Sequence, residues 1–105
     1  MQININNFNP TSPKILKEEQ QKLYDNYLQK AIKVIERKIR LSEIRKTYNF
    51  SFSYIDKETS TELDIQTATF EQQELLHHLA KIFEKVGWNT EIKSAPWSIT
   101  LSEKE

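Results

Sequence analysis

From Tyr48 to Ile55 aromatic and small polar residues alternate almost without a fault. At a period of two, Tyr48, Phe50, Phe52 and Tyr54 share one face of an extended strand, and Asn49, Ser51 and Ser53 share the other. An aromatic face of that kind needs a cover, which the rest of the chain is expected to supply. Upstream, Ser12-Pro13 is a helix start signal, with Ser as N-cap and Pro at the first helical position. A long helix is predicted from there to about Arg45, with no Gly or Pro inside it. At roughly 100° per residue, Tyr24, Leu28, Ala31, Ile32, Ile35 and Ile39 form one apolar stripe. Leu16, Leu23, Tyr27, Val34 and Leu41 form a second beside it. A small sheet covers only one of these, so the other should meet a second helix or another copy of the chain. Ile44 falls outside both, and the helix is expected to kink or end near Ser42.

Downstream, Asp56 to Ser60 reads as a polar turn segment. Thr61, Leu63, Ile65 and Thr67 alternate with Glu62, Asp64 and Gln66, which predicts a second strand closing a hairpin with Tyr48–Ile55. The alternative is an irregular connection with Leu63 and Ile65 tucked under it. Thr69 with Gln72 matches a capping box and opens a second helix. Leu75, Leu76, Leu79, Ile82, Phe83 and Val86 give that helix one apolar stripe, and Gly87 sits where a left-handed residue closes it. Trp88–Lys93 and Trp97–Ser102 then read as a hairpin joined by Ser94-Ala95-Pro96. Its packed face carries Trp88, Thr90, Ile92, Trp97, Ile99 and Leu101, and its polar face carries Ser98, Thr100 and Ser102. The expected fold class is α+β: a long N-terminal helix, then β-β-α-β-β, forming a two-layer sandwich with one mainly antiparallel sheet. Residues 12–105 make a single domain, preceded by an Asn-rich arm over 1–11 in which Ile3, Ile5 and Phe8 alternate weakly. The arm is expected to be partly ordered, or an edge strand of the sheet.

Composition narrows the chemistry. The chain has 105 residues, and its 15 basic and 15 acidic side chains cancel. No global field selects nucleic acid, a membrane surface or an acidic substrate. No cysteine is present, which excludes disulfides, thiolate metal sites and a cysteine nucleophile. One glycine excludes Gly-rich phosphate loops. No signal peptide is apparent, and no run approaches the roughly 20 apolar residues of a membrane span. A cytoplasmic protein without membrane contact is therefore expected, and the glycosylation pattern Asn49-Phe50-Ser51 is a coincidence within a strand.

Neither a catalytic residue nor a cofactor is expected. His77 and His78 point about 100° apart on a helix and cannot grip one metal together. Glu74 and His78 lack a third ligand, so no metal site is expected either. Glu62, Asp64, Glu71 and Glu74 would serve as an acid–base pair only if the fold converged them, and acids at a helix N-terminus are ordinary. Between Lys30 and Lys46 the cations Lys30, Lys33, Arg37, Lys38, Arg40, Arg45 and Lys46 outnumber the acids Glu36 and Glu43. Such a cluster can hold phosphates. It equally suits the C-terminal end of a helix, paired with the acidic segment after the strand. Tyr48 and Tyr54 would suit base stacking, but their face predicts core burial. The second stripe, through Leu16, Leu23, Tyr27 and Val34, is the candidate contact surface.

From Tyr48 on, a strand, an amphipathic helix, Gly87-Trp88 and a hairpin ending Trp97-Ser98-Ile99-Thr100 resemble small uncharacterised proteins of bacterial phages and prophages. The resemblance covers about half the chain. It implies an accessory or host-interfering role, exerted by binding a host protein, a nucleic acid or a signalling nucleotide. The expectation is a non-enzymatic binding module, a homodimer, that modulates a host macromolecule. The alternative is a nucleic-acid or nucleotide binder that uses the basic cluster.

Overall fold

The computed structural model describes residues 9–65 and 70–103. Six elements follow one another: α1 (Pro13–Leu41), β1 (Thr47–Ser51), α2 (Phe52–Leu63), α3 (Gln72–Lys85), β2 (Trp88–Lys93) and β3 (Ser98–Glu103). The fold is α+β, with a long N-terminal helix and a three-stranded antiparallel sheet. Residues 1–8 of the expected arm and most of the expected C-terminal tail lie outside the described residues.

Helix α1 starts where the Ser-Pro signal places it. The Ser12 hydroxyl accepts the Ile15 N–H at 3.4 Å, and Pro13 occupies the first turn. It stops at Leu41, where Ser42 takes over the last carbonyls. The Ser42 hydroxyl donates to Lys38 O at 2.6 Å, and its N–H donates to Ile39 O at 3.2 Å. The helix thus stops short of Arg45, at the end near Ser42 that the phase of Ile44 allowed.

The largest departure from the sequence pattern is at Phe52. Strand β1 stops at Ser51, whose hydroxyl accepts the Tyr54 N–H at 3.1 Å and so caps a helix. From there the buried positions are Phe52, Ile55, Asp56, Thr59 and Ser60, a three- and four-residue spacing instead of alternation. Asp64 closes α2 in the left-handed conformation (φ 53°), its N–H turned to the Ser60 and Thr61 carbonyls. The predicted strand over 61–67 and its hairpin are thereby overturned. Residues 61–63 are helical, Asp64 is the cap, the Ile65 N–H bonds Ser60 O at 3.0 Å, and 66–67 lie outside the described residues. The order is α-β-α-α-β-β, with one strand fewer and one helix more than expected.

The sheet order is β1-β3-β2, with antiparallel pairing throughout. Phe50 lies opposite Ile99 and Tyr48 opposite Leu101; across the other seam, Ile92 faces Ile99 and Thr90 faces Leu101. Alternation therefore puts Tyr48, Phe50, Thr90, Ile92, Ile99 and Leu101 on one face. The core forms there with Tyr27, Ala31, Ile35, Phe52, Ile55, Leu75, Leu76, Leu79 and Phe83 from the helices. The opposite face carries Thr47, Asn49, Ser51, Ser98, Thr100 and Ser102. Ser53, expected on that face, sits on α2 instead.

Helix α3 is capped by Glu71 without a side-chain bond, and Thr69 of the expected capping box lies outside the described residues. Gly87 ends this helix at φ 107°, its N–H on Glu84 O at 3.2 Å, as the pattern implies. Val86, expected on the apolar stripe, is the C-cap and is exposed. The β2–β3 hairpin is present as expected. No described helix is long and apolar enough to cross a membrane.

Candidate functional site

Helix α1 runs for 29 residues, about 43 Å at 1.5 Å per residue. The rest of the fold covers only part of it. From Pro13 to Leu23 every residue is exposed, and Tyr24 is the first to be half-buried. Ile15, Leu16 and Leu23 are 47%, 46% and 44% exposed. Beyond Tyr24 the same helix supplies the buried Tyr27, Ala31, Val34 and Ile35.

The expected contact stripe is therefore split. Leu16 and Leu23 are surface residues. Tyr27 and Val34 are buried within the chain, at 0% and 1% exposure, and are not available to a partner. The correction has one cause: α2, which the sequence pattern does not predict, packs on α1 along the Tyr27–Val34 part of that stripe, while Leu41 at its end is 80% exposed.

A hydrogen-bonded clasp joins the two helices. The Tyr27 hydroxyl donates to the Asp56 carboxylate, and the Ser60 hydroxyl donates to the same Oδ1 at 3.3 Å. Asp56 is 5% exposed. Burial, reinforced by the bond to Asp56, pushes the Tyr27 hydroxyl far above the usual tyrosine range. In this bond the hydroxyl is the donor. The nearby Thr59 hydroxyl is buried without a partner. The i,i+4 spacing of Asp56 and Ser60 was the available sequence signal for this clasp.

Where the free part of α1 begins, the Tyr24 hydroxyl bonds His78 Nδ1, and the Phe70 ring meets Tyr24 edge-on at 5.0 Å. Burial and the nearby carboxylates of Glu74 and Asp25 raise the Tyr24 hydroxyl above its ordinary value. An open groove of about 690 Å³ runs past this pair, bordered by Gln20, Leu23, Phe70 and Glu74. His77 is exposed. Among the described residues no three potential metal ligands converge.

The basic cluster also divides. Lys30 (3.7 Å) and Arg37 both pair with Glu62 on α2, and Arg40 pairs with Glu36 at 3.7 Å. The Arg37 guanidinium holds the Glu62 carboxyl below the usual glutamate range. Lys33 and Lys46 are exposed. Lys38 and Arg45 reach one open cleft of about 570 Å³ between the end of α1 and β1. Tyr48 and Tyr54 line that cleft too, with the Lys38 ammonium 5.8 Å from the Tyr54 ring centre. Tyr48 is pinned there by the Arg45 N–H, which donates to its hydroxyl at 3.0 Å. Of the acids weighed as an acid–base pair, Glu62 is engaged by Arg37, Asp64 closes α2, and Glu71 and Glu74 open α3.

Compared with protein-family models, curated proteins and solved structures, the chain finds no match.

Proposed function

We propose that the protein is a non-enzymatic binding module that works as a homodimer and, as an accessory protein of a phage or mobile element, engages a host macromolecule. The mobile-element setting rests on the sequence resemblance from Tyr48 onward. The binding role rests on one observation: eleven consecutive helical residues, Pro13–Leu23, all exposed among the described residues, with Ile15, Leu16 and Leu23 among them. Apolar side chains grouped on an ordered, uncovered element mark a contact.

A second copy is the occupant that fits. Leu16 and Leu23 are two helical turns apart on one face. In an antiparallel pair centred between Glu19 and Gln20, Leu16 of each copy lies against Leu23 of the other, and Glu19 lies beside Gln20. The contact is self-complementary, as a two-fold interface requires. Binding of nucleic acid through the whole basic cluster is the weaker reading, because Lys30, Arg37 and Arg40 already face carboxylates.

The test is mass in solution at micromolar concentration, by light scattering or sedimentation. The wild type is expected to be a dimer. Leu16→Asp with Leu23→Asp is expected to be a monomer that melts with the wild type at a concentration where both are monomeric, since neither side chain is in the core. A monomeric wild type overturns the reading.

A further inference from the structure

We propose that the free edge of β1 is the acceptor for an acidic, extended peptide segment of a partner protein, which adds to the sheet as a fourth strand beside β1. The inference goes beyond the dimer and does not rest on it, because it concerns the opposite end of α1.

Among the described residues strand β1 is at the edge of the sheet, since β3 pairs with it on one side only. The direction of its backbone groups follows from the two bonds that bracket it. Lys46 O accepts the Glu103 N–H at 3.1 Å, and the Phe52 N–H donates to Trp97 O at 2.9 Å. Both lie in the β1–β3 register at even-numbered positions of the first strand. Hydrogen-bonded and non-hydrogen-bonded pairs alternate in an antiparallel ladder. Tyr48 and Phe50 therefore turn their N–H and C=O groups to β3, and Thr47 and Asn49 turn theirs outward. An outward row of this kind pairs with an added strand.

The edge is not flanked by bare solvent. The 570 Å³ cleft runs along it, with Thr47 and Asn49 on the strand side and Lys38, Arg45 and Tyr54 on the other. Lys38 and Arg45 form no ion pair among the described residues. The Tyr48 and Tyr54 rings line the same cleft as the two cations and add apolar contact. A strand seated here lays every second side chain toward Lys38 and Arg45, so carboxylates at alternate positions match them. A second copy of this edge does not: Thr47–Ser51 contains no acidic residue and would leave both cations unmatched.

The probe is a seven-residue peptide with Glu at alternate positions and Val between, titrated to millimolar concentration while backbone amide NMR signals are followed. Signals of Thr47 and Asn49 are expected to shift in saturable fashion. The same peptide with Lys in place of Glu is expected to bind at least about tenfold more weakly, as is the acidic peptide on Lys38→Glu with Arg45→Glu. Methylating the peptide's edge-facing backbone nitrogens removes strand hydrogen bonds and keeps the charge; a loss of about fivefold or more is expected. On the protein side, Asn49→Pro removes one outward N–H and leaves the β3 ladder intact, with a loss of similar size. The Leu16→Asp, Leu23→Asp double variant is expected to bind the peptide as the wild type does, whether or not the wild type is a dimer. No saturable shift, equal binding of the Glu and Lys peptides, or indifference to N-methylation overturns the proposal. So does a short oligothymidylate that competes for the cleft and binds it more tightly than the acidic peptide.

Discussion

The two halves of α1 have similar helix-forming sequences and different surroundings. From Tyr24 onward the helix lies against α2 and α3 and gives Tyr27, Ala31, Val34 and Ile35 to the interior. From Pro13 to Leu23 it gives nothing. The free half is built of Lys, Glu, Gln, Leu and Ile, mostly good helix formers, capped by Ser12. It extends a helix already nucleated by packing, so it carries no nucleation cost of its own. One half is helical because tertiary contacts require it, and the other because nothing in its sequence stops it.

The same backbone lesion should therefore have opposite outcomes in the two halves. Proline at a helix interior removes a hydrogen bond and clashes with the carbonyl four residues back, which costs about 3 kcal/mol or more. At the fully buried Ala31 that cost falls on the packed half, and Ala31→Pro is expected to unfold the domain or lower its melting temperature by well over 10 °C. At Glu19 the turns before the proline can unravel without disturbing the core. Glu19→Pro is expected to lose part of the helical circular-dichroism signal, to melt within a few degrees of wild type at a concentration where both are monomeric, and to abolish any dimer. Equal destabilisation by the two substitutions would mean that the free half is packed after all.

The contrast also explains what the sequence could convey. A double-width apolar stripe on α1 was legible, and so was the need for something to cover it. Which half is covered was not, because that depends on α2. Helix α2 was hidden for two reasons. Its first turn, Phe52 to Ile55, fits a strand at period two and a helix at period three, and a short apolar run cannot separate these. Its inner face then continues with Asp56, Thr59 and Ser60, polar residues that leave no hydrophobic signature although all are buried. Ser51 as N-cap was the one local sign. Elements with strong local punctuation were read correctly: Ser12-Pro13 at the start of α1, Gly87 after α3, and the β2–β3 hairpin. The cleft beside β1 joins Lys38 and Arg45 to Thr47, Asn49 and Tyr54. That grouping depends on where β1 stops, which the alternating pattern concealed.

Tyr24 and Tyr27 mark the junction between the halves, and their hydroxyls sharpen it. Tyr27→Phe leaves the buried Asp56 carboxylate with the Ser60 hydroxyl alone. The expected loss is about 1–3 kcal/mol, measured from urea unfolding at pH 7. A pH signature accompanies it. The folded-state pKa of Tyr27 lies far above its unfolded value, so the stabilisation is complete below about pH 10. It declines as pH rises further, because the unfolded chain then releases a proton that the folded chain keeps. Between pH 9 and 11 wild type should lose stability more steeply than Tyr27→Phe. Tyr24, which is only half-buried, should contribute a weaker slope of the same sign, removed by Tyr24→Phe. Parallel alkaline slopes for wild type and Tyr27→Phe would show that the clasp does not form in solution.

The smallest expected effect belongs to Glu62, the exposed counterpart of that clasp. It too ties α2 to the packed half of α1, through Arg37 and Lys30, but water screens it. The bond to Arg37 lowers its folded-state pKa, so the sign is opposite to that of Tyr27. The stabilisation is present above the ordinary glutamate pKa of about 4.3 and is lost as pH falls through the lower folded-state value. Glu62→Gln should therefore flatten the acid limb of the stability profile between about pH 5 and 3 and change stability little at pH 7. The same substitution leaves Arg37 and Lys30 without their carboxylate. If the acidic peptide then bound more tightly at an unchanged Thr47 and Asn49 footprint, the added attraction would be long-range, and raising the salt concentration should erase it. A footprint that moved along α1 toward Arg37 would mean that the cations, and not the strand edge, choose the partner.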